Sequence, residues 1–252
     1  MFTKVNLNDV LNFEVDQFKK EFGKKIDFHK LDSSNVDQCL NYALDDALRE
    51  NARSKKEQYK DSKEEIISKF TDDFIEVANG GNKISNERDF EDLFDDLAKK
   101  FSTVLKDQKL ELLSKIGFAQ KFINMSFKYL YCFEKCDKNN LRFCHLPLDK
   151  YTINWYKTIG DKNNIADLKE INFSWSKINK DLYFNIQKDI DSKLKSCLDY
   201  EINCKDPKQR IQLPQSKIEV EFIVWKQEQL NEFCKKLSKF KDYFERLGIK
   251  AI

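Results

Sequence analysis

Six glycines and three prolines in 252 residues leave few places where the backbone can turn sharply. All-β folds need turn signals roughly every 8–12 residues, and glycine-looped nucleotide folds need glycines in clusters; helices need such residues only at their ends. Apolar residues make up 40% of the chain and 21 positions are Phe, so the composition suits a packed core rather than disorder. An all-α fold is expected. The length allows one large domain or two small ones.

Helical spacing recurs along the front of the chain. Val10, Leu11, Phe13, Phe18 and Phe22 follow Asn8 and end at Gly23. Ser34 is placed to cap a helix carrying Val36, Cys39, Leu40, Ala43, Leu44 and Ala47. A charged run from Lys55 to Glu65 leads into Ile66, Ile67, Phe70, Phe74 and Val77, and Asn79-Gly80-Gly81 terminates it. Residues 79–86 are the best linker candidate, dividing a helical region 1–80 from a core domain 85–252, unless the two are continuous. The next helix starts near Ser85 or Asn86 and carries Phe90, Phe94, Leu97 and Phe101. Its Glu91, Asp92, Asp95 and Asp96 read as a solvated face favoured near a helix N-terminus.

Further on, Lys180 to Leu198 reads as an amphipathic helix, Asn163 to Lys177 as irregular and aromatic, and Ile211 to Ser216 as a turn-rich break. The alternation from Ile218 to Trp225 fits a short strand near the C-terminus or, preferred here, the start of a last helix that includes 227–247 and stops at Gly248.

Charge is unevenly spread. The net is +2, yet residues 1–100 carry 17 basic and 23 acidic side chains, and residues 101–252 carry 28 and 20. Such asymmetry suits a polyanion-binding rear half, two halves that attract each other, or plain surface charge. Seven cysteines without a disulfide-like spacing suggest reduced thiols and a cytoplasmic location. No apolar run resembles a secretory leader or a membrane span.

The segment 109–133 reads as a buried central helix. From Ile116 to Phe133 apolar residues cover nearly its whole circumference, the mark of a helix enclosed by its domain. Lys121, Asn124 and Lys128 form one polar stripe on it, at i, i+3 and i+7. A buried ammonium is costly unless paired, so the stripe should face a cleft, a ligand or a carboxylate.

Chemical motifs are scarce. There is no Walker loop, no G-x-G-x-x-G and no H-E-x-x-H, so common nucleotide-dependent and metalloprotease chemistries lose support, and no cofactor is expected. Cys132, Cys136, Cys144 and His145 supply four potential soft ligands, but Cys132 lies in the apolar helix, where a thiol packs as a small hydrophobe. Buried free cysteines are the reading, with no metal. Pro147 sets an extended approach to Asp149, which is placed to cap a helix bearing Tyr151, Ile153, Trp155 and Tyr156.

Leu113-Ser114-Lys115-Ile116-Gly117 leading into a helix with Lys121, followed by Leu146-Pro147-Leu148-Asp149 before a later helix, resembles the helix-hairpin-helix DNA glycosylase superfamily over about 40 residues. The resemblance implies that Gly117 matches the last hairpin glycine, Lys121 the amine that forms a Schiff base at the sugar, and Asp149 the aspartate that stabilises developing positive charge. A flipped base would stack on Phe118, Trp155 and Tyr156, beside Asn124, Lys128 and His145.

Two functions are therefore expected. The first is a helical nucleic-acid-binding or protein-interaction module without catalysis. It would use the basic rear half, with a protein partner engaging the acidic front, in a mobile-element or phage-defence setting. The second is a DNA glycosylase/lyase-like enzyme acting through Lys121 and Asp149. No membrane partner is expected.

Overall fold

The computed structural model describes residues 7–48, 56–81, 83–159, 174–203 and 216–228. All of its regular structure is helical: among the described residues there is no strand. The helices are α1 (Leu7–Phe22), α2 (Ser33–Leu48), α3 (Lys56–Ser68), α4 (Thr71–Ala78), α5 (Glu87–Asp107), α6 (Ile116–Tyr131), α7 (Lys138–Leu141), α8 (Lys150–Ile159), α9 (Lys180–Asn203) and α10 (217–228). Single 3₁₀ turns at Glu111–Leu113 and Trp175–Lys177 precede α6 and α9. Residues 218–225 are helical, not a strand. The Pro214 break, the rest of the 227–247 helix and most of the 163–177 segment lie outside the described residues.

Two expected helices are broken. The run from Lys55 to Val77 turns at Lys69–Phe70, where Phe70 N–H donates to the Ile67 carbonyl over 2.8 Å. Both halves pack on α2, and the second also reaches further helices. Tyr59 and Lys63 of α3 reach Asp45 of α2 at 2.8 Å each, while α4 packs on α2, α6 and α7. The central helix 109–133 is likewise shorter than its apolar pattern. Lys109 takes a left-handed conformation (φ 56°), and Leu110 N–H closes α5 on the Leu105 carbonyl at 2.7 Å. That is a six-to-one helix stop made without glycine.

Of the other ends, α2 departs from the sequence cue: Ser34 lies inside the helix, and Asp32 caps it by accepting from Asn35 N–H at 2.9 Å. The following ends agree with theirs. Asn86 caps α5 by accepting from Asp89 N–H at 3.0 Å, and the Asp89 carboxylate reaches back to Ser85 N–H at 2.8 Å. Gly80, at φ 75°, supplies the turn after α4. The linker candidate is pinned to α7: Asp137 N–H donates to the Ala78 carbonyl at 2.8 Å, and the Asn140 amide bridges Val77 and Ile84. One hydrophobic cluster runs from Leu11 to Val224 across that loop.

At the centre, α6 is buried along all of its length except Ile116 and Lys121, with α2 and α5 its main helical neighbours. The aromatic core stacks on it, with Phe101 lying flat on Phe122 at 5.1 Å and Phe74 tilted against Phe127 at 4.9 Å.

Acidic and basic helices meet along one seam. Glu87, Glu91 and Asp95 of α5 pair with Lys195, Lys188 and Lys180 of α9 at 3.1, 3.6 and 2.6 Å. The acidic face of α5 is therefore solvated only in part: Asp92 and Asp96 stay exposed, while its other carboxylates hold α9. Three carboxylates of the acidic half are thus paired with lysines of the basic half.

Candidate functional site

The sequence singles out the polar stripe of α6, and the structure gives its three residues three different environments. Lys128 is 1% exposed and forms an ion pair with Glu221 of α10, itself 1% exposed. Its ammonium also lies over the rings of Phe18, Phe222 and Trp225 at 4.8, 4.9 and 5.0 Å, a cation held among π faces. Burial pushes the Glu221 carboxyl up, against the opposing pull of Lys128. The cavity beside this cage, bounded by Glu14, Gln17 and Lys226, measures about 30 Å³, space for water rather than substrate. Here the expected carboxylate partner is present.

Asn124 is fully buried. Its amide donates to the Tyr183 hydroxyl at 2.8 Å, and its Oδ1 has no hydrogen-bond partner among the described residues. The Tyr183 hydroxyl lies 2.8 Å from His145 Nδ1. The hydroxyl thus links the Asn124 amide to the imidazole. Burial, reinforced by the positive charges of Lys217 and Lys188, holds His145 well below its ordinary range. Histidine is neutral here, in a box made by Phe90, Phe94 and Phe184.

Lys121 alone opens toward solvent. It is half-buried, and its ammonium sits 4.7 Å from the centre of the Trp175 ring, which stands perpendicular to the Phe118 ring with 5.5 Å between their centres. Gly117 permits this contact. A Cβ there would lie 2.5 Å from the Trp175 carbonyl oxygen and 2.8 Å from Ser176 Cα, so only glycine lets the 3₁₀ turn rest on α6. Lys115 and Lys177, both exposed, stand within two residues of that backbone contact. Among the described residues, none of Lys115, Lys121 and Lys177 forms an ion pair.

Asp149 caps α8 as expected. It accepts from Tyr151 and Thr152 N–H at 2.8 and 3.0 Å and is 8% exposed. Two glutamines hold the extended segment before it: the Gln120 amide pairs with both backbone groups of Leu148, and the Gln187 amide with both of Leu146. No hydrogen bond or ion pair joins Lys121 to Asp149 among the described residues. Tyr156 is buried and donates to Asp189 at 2.7 Å; Trp155 is half-buried on α8.

Of the residues singled out for binding, Asn124, Lys128, His145 and Tyr156 thus belong to the core, where each already has a protein partner. Reading the sequence missed Glu221, Gln120, Tyr183, Gln187 and Trp175. Trp175 carried a signal, an aromatic among lysines in a turn-like stretch; the others carried none, because their partners are remote in sequence.

The cysteines Cys39, Cys132, Cys136 and Cys144 are buried and free. Burial pushes the Cys132 and Cys136 thiols up to about 12, so they stay protonated and are poor ligands and nucleophiles. Among the described residues no cluster of His, Cys, Asp and Glu is arranged to hold a metal ion, and no helix is long and apolar enough to cross a membrane.

Compared with protein-family models, curated proteins and solved structures, the chain matches none.

Proposed function

We propose that the protein is a non-catalytic nucleic-acid-binding module that engages phosphates through Lys115, Lys121 and Lys177 around Trp175. The observation that carries this reading is the Lys121–Trp175 contact, 4.7 Å from ammonium to ring centre, at the one place on the α6 stripe that reaches solvent. Four other lysines of the basic half are engaged within the protein: Lys128 with Glu221, and Lys180, Lys188 and Lys195 with α5. The combination of free cations with an accessible aromatic is what polyanion sites for nucleic acids use.

The test is a titration of a labelled oligonucleotide at several salt concentrations. Three phosphate contacts on a single strand give a log–log slope of about −2. Replacing Lys115, Lys121 and Lys177 together with Gln should flatten that slope and weaken binding. Affinity that does not change with salt, or that survives the triple replacement, overturns the reading.

The catalytic alternative asks for an amine facing a carboxylate across an open site. Lys121 over an indole and Asp149 engaged in a helix cap favour binding over Schiff-base chemistry. Borohydride trapping on abasic duplex DNA separates the two. The binding reading expects no covalent band; a band lost in Lys121→Ala and kept in Lys128→Ala would make the protein a lyase.

A further inference from the structure

We infer that Trp175 is a stacking platform for one unpaired base, and that Lys121 occupies the platform only while the site is empty. The inference rests on the nucleic-acid reading above and specifies its substrate class as single-stranded. Three observations lead to it. Trp175 is half-buried, its backbone rests closely on Gly117 and its ring stands at right angles to that of Phe118, so an incoming base meets a residue anchored at its backbone and braced at its ring. The ammonium of Lys121 covers one face at 4.7 Å on a flexible stem, and it can leave. The lysines of α9 that could track a longer phosphate line are paired with Glu87, Glu91 and Asp95, which leaves a patch of two or three phosphates rather than a duplex footprint.

Magnitudes favour the exchange. An exposed ammonium–aromatic contact is worth about two- to five-fold in an equilibrium, whereas stacking a base on an aromatic side chain is worth about five- to 150-fold. Moving Lys121 from the ring to a phosphate exchanges the weaker contact for the stronger one and adds a charge-assisted contact. Bases in a duplex have their faces covered by neighbours, so only an unpaired base can take the place of the ammonium.

The experiment compares an oligothymidylate strand, the same strand paired with its complement, and a strand of equal length built from abasic sugar-phosphates. Indole fluorescence and affinity are read for the wild type, Trp175→Leu and Trp175→Phe. The expected result is quenching of the wild type by oligothymidylate, an affinity for that strand weakened about five- to 150-fold in Trp175→Leu and partly restored in Trp175→Phe, and no effect of either change on affinity for the abasic strand. Lys121→Gln should weaken both strands. Equal affinity for thymidylate and abasic strands, with Trp175→Leu indifferent, overturns the inference while leaving phosphate binding intact. Tighter binding of the duplex without quenching does the same. If no strand binds in a salt-dependent way, the nucleic-acid reading itself fails.

Discussion

Lys121 and Lys128 stand on one helix, seven residues apart on one stripe, and each lies about 5 Å from a tryptophan ring. They are nonetheless opposites. Lys128 is sealed in with Glu221, while Lys121 stays open between Trp175 and solvent. The decisive difference is the carboxylate, supplied 93 positions away in the sequence. An ammonium with a buried counter-charge is a structural element; an ammonium with only a ring face remains available. Between them Asn124 joins a neutral network ending at His145, so the stripe runs from ionic interior through uncharged interior to surface.

Breaking the Lys128 end should have the largest effect. Removing one member of a buried ion pair leaves the other charge unpaired, at about 3–5 kcal/mol. Lys128→Met and Glu221→Gln should each lower the unfolding free energy measured in urea by that order. The double change Lys128→Met/Glu221→Leu should recover most of the loss, since two apolar side chains need no counter-charge. A loss below about 1 kcal/mol for Lys128→Met, the range of an exposed pair, would place the two lysines in the same class and remove the comparison.

Gly117→Ala attacks the other end through the backbone. The new methyl group would sit 2.5 Å from the Trp175 carbonyl oxygen, so the 3₁₀ turn must move. Overpacking of this kind costs about 1–3 kcal/mol, and it should also separate Trp175 from Lys121. A drop in thermal stability together with loss of the strand-induced quenching is expected. Full stability and full quenching would show that the close approach is not what positions the ring.

This contrast marks how far the sequence could be read. Helix caps were legible because they are local: Asn86, Asp149 and Gly80 act on residues within four positions of themselves. That the stripe needs a cleft, a ligand or a carboxylate was legible too, because burying an unpaired ammonium is costly. That Glu221 would supply it was not. Glu219 and Glu221 alternate with apolar residues like a strand, yet both point into the protein from a helix, one to Tyr131 at 2.6 Å and the other to Lys128. Periodicity assumes that polar residues face water, and it misreads a helix whose inward face carries Lys217 and Glu221. The break at Lys69–Phe70 was hidden for a related reason: nothing in the run itself says that its second half, besides sharing α2 with the first, must also pack on α6 and α7.

The middle of the stripe gives a pH signature. Burial lowers the folded-state pKa of His145, so the unfolded chain binds one more proton once the pH falls below the ordinary value of about 6.5. Stability from this group is complete above that value and is lost as the pH falls, by about 1.4 kcal/mol per pH unit. Glu221 and Glu87, whose folded pKa values are raised, act in the opposite sense: each gains stability for the fold as the pH falls toward its own range. The comparison must therefore be between proteins rather than between pH values alone. Unfolding midpoints from pH 7 to 5 should fall more steeply for the wild type than for His145→Gln, by one proton. Parallel slopes would mean that the imidazole is reached by water and titrates normally.

The smallest stability effect belongs to Lys121, and it separates the two lysines most cleanly. Its contact with Trp175 is partly exposed, worth about 0.5–1 kcal/mol, and no buried charge is left behind when it goes. Lys121→Gln should therefore unfold within about 1 kcal/mol of the wild type. The same substitution should weaken a single strand markedly, because a phosphate contact is lost. Lys128→Met should show the reverse pattern, a large fall in stability with affinity unchanged wherever the protein remains folded. If Lys121→Gln instead destabilises as strongly as Lys128→Met, the ammonium is holding the 3₁₀ turn in place, and the open end of the stripe is as structural as the closed one.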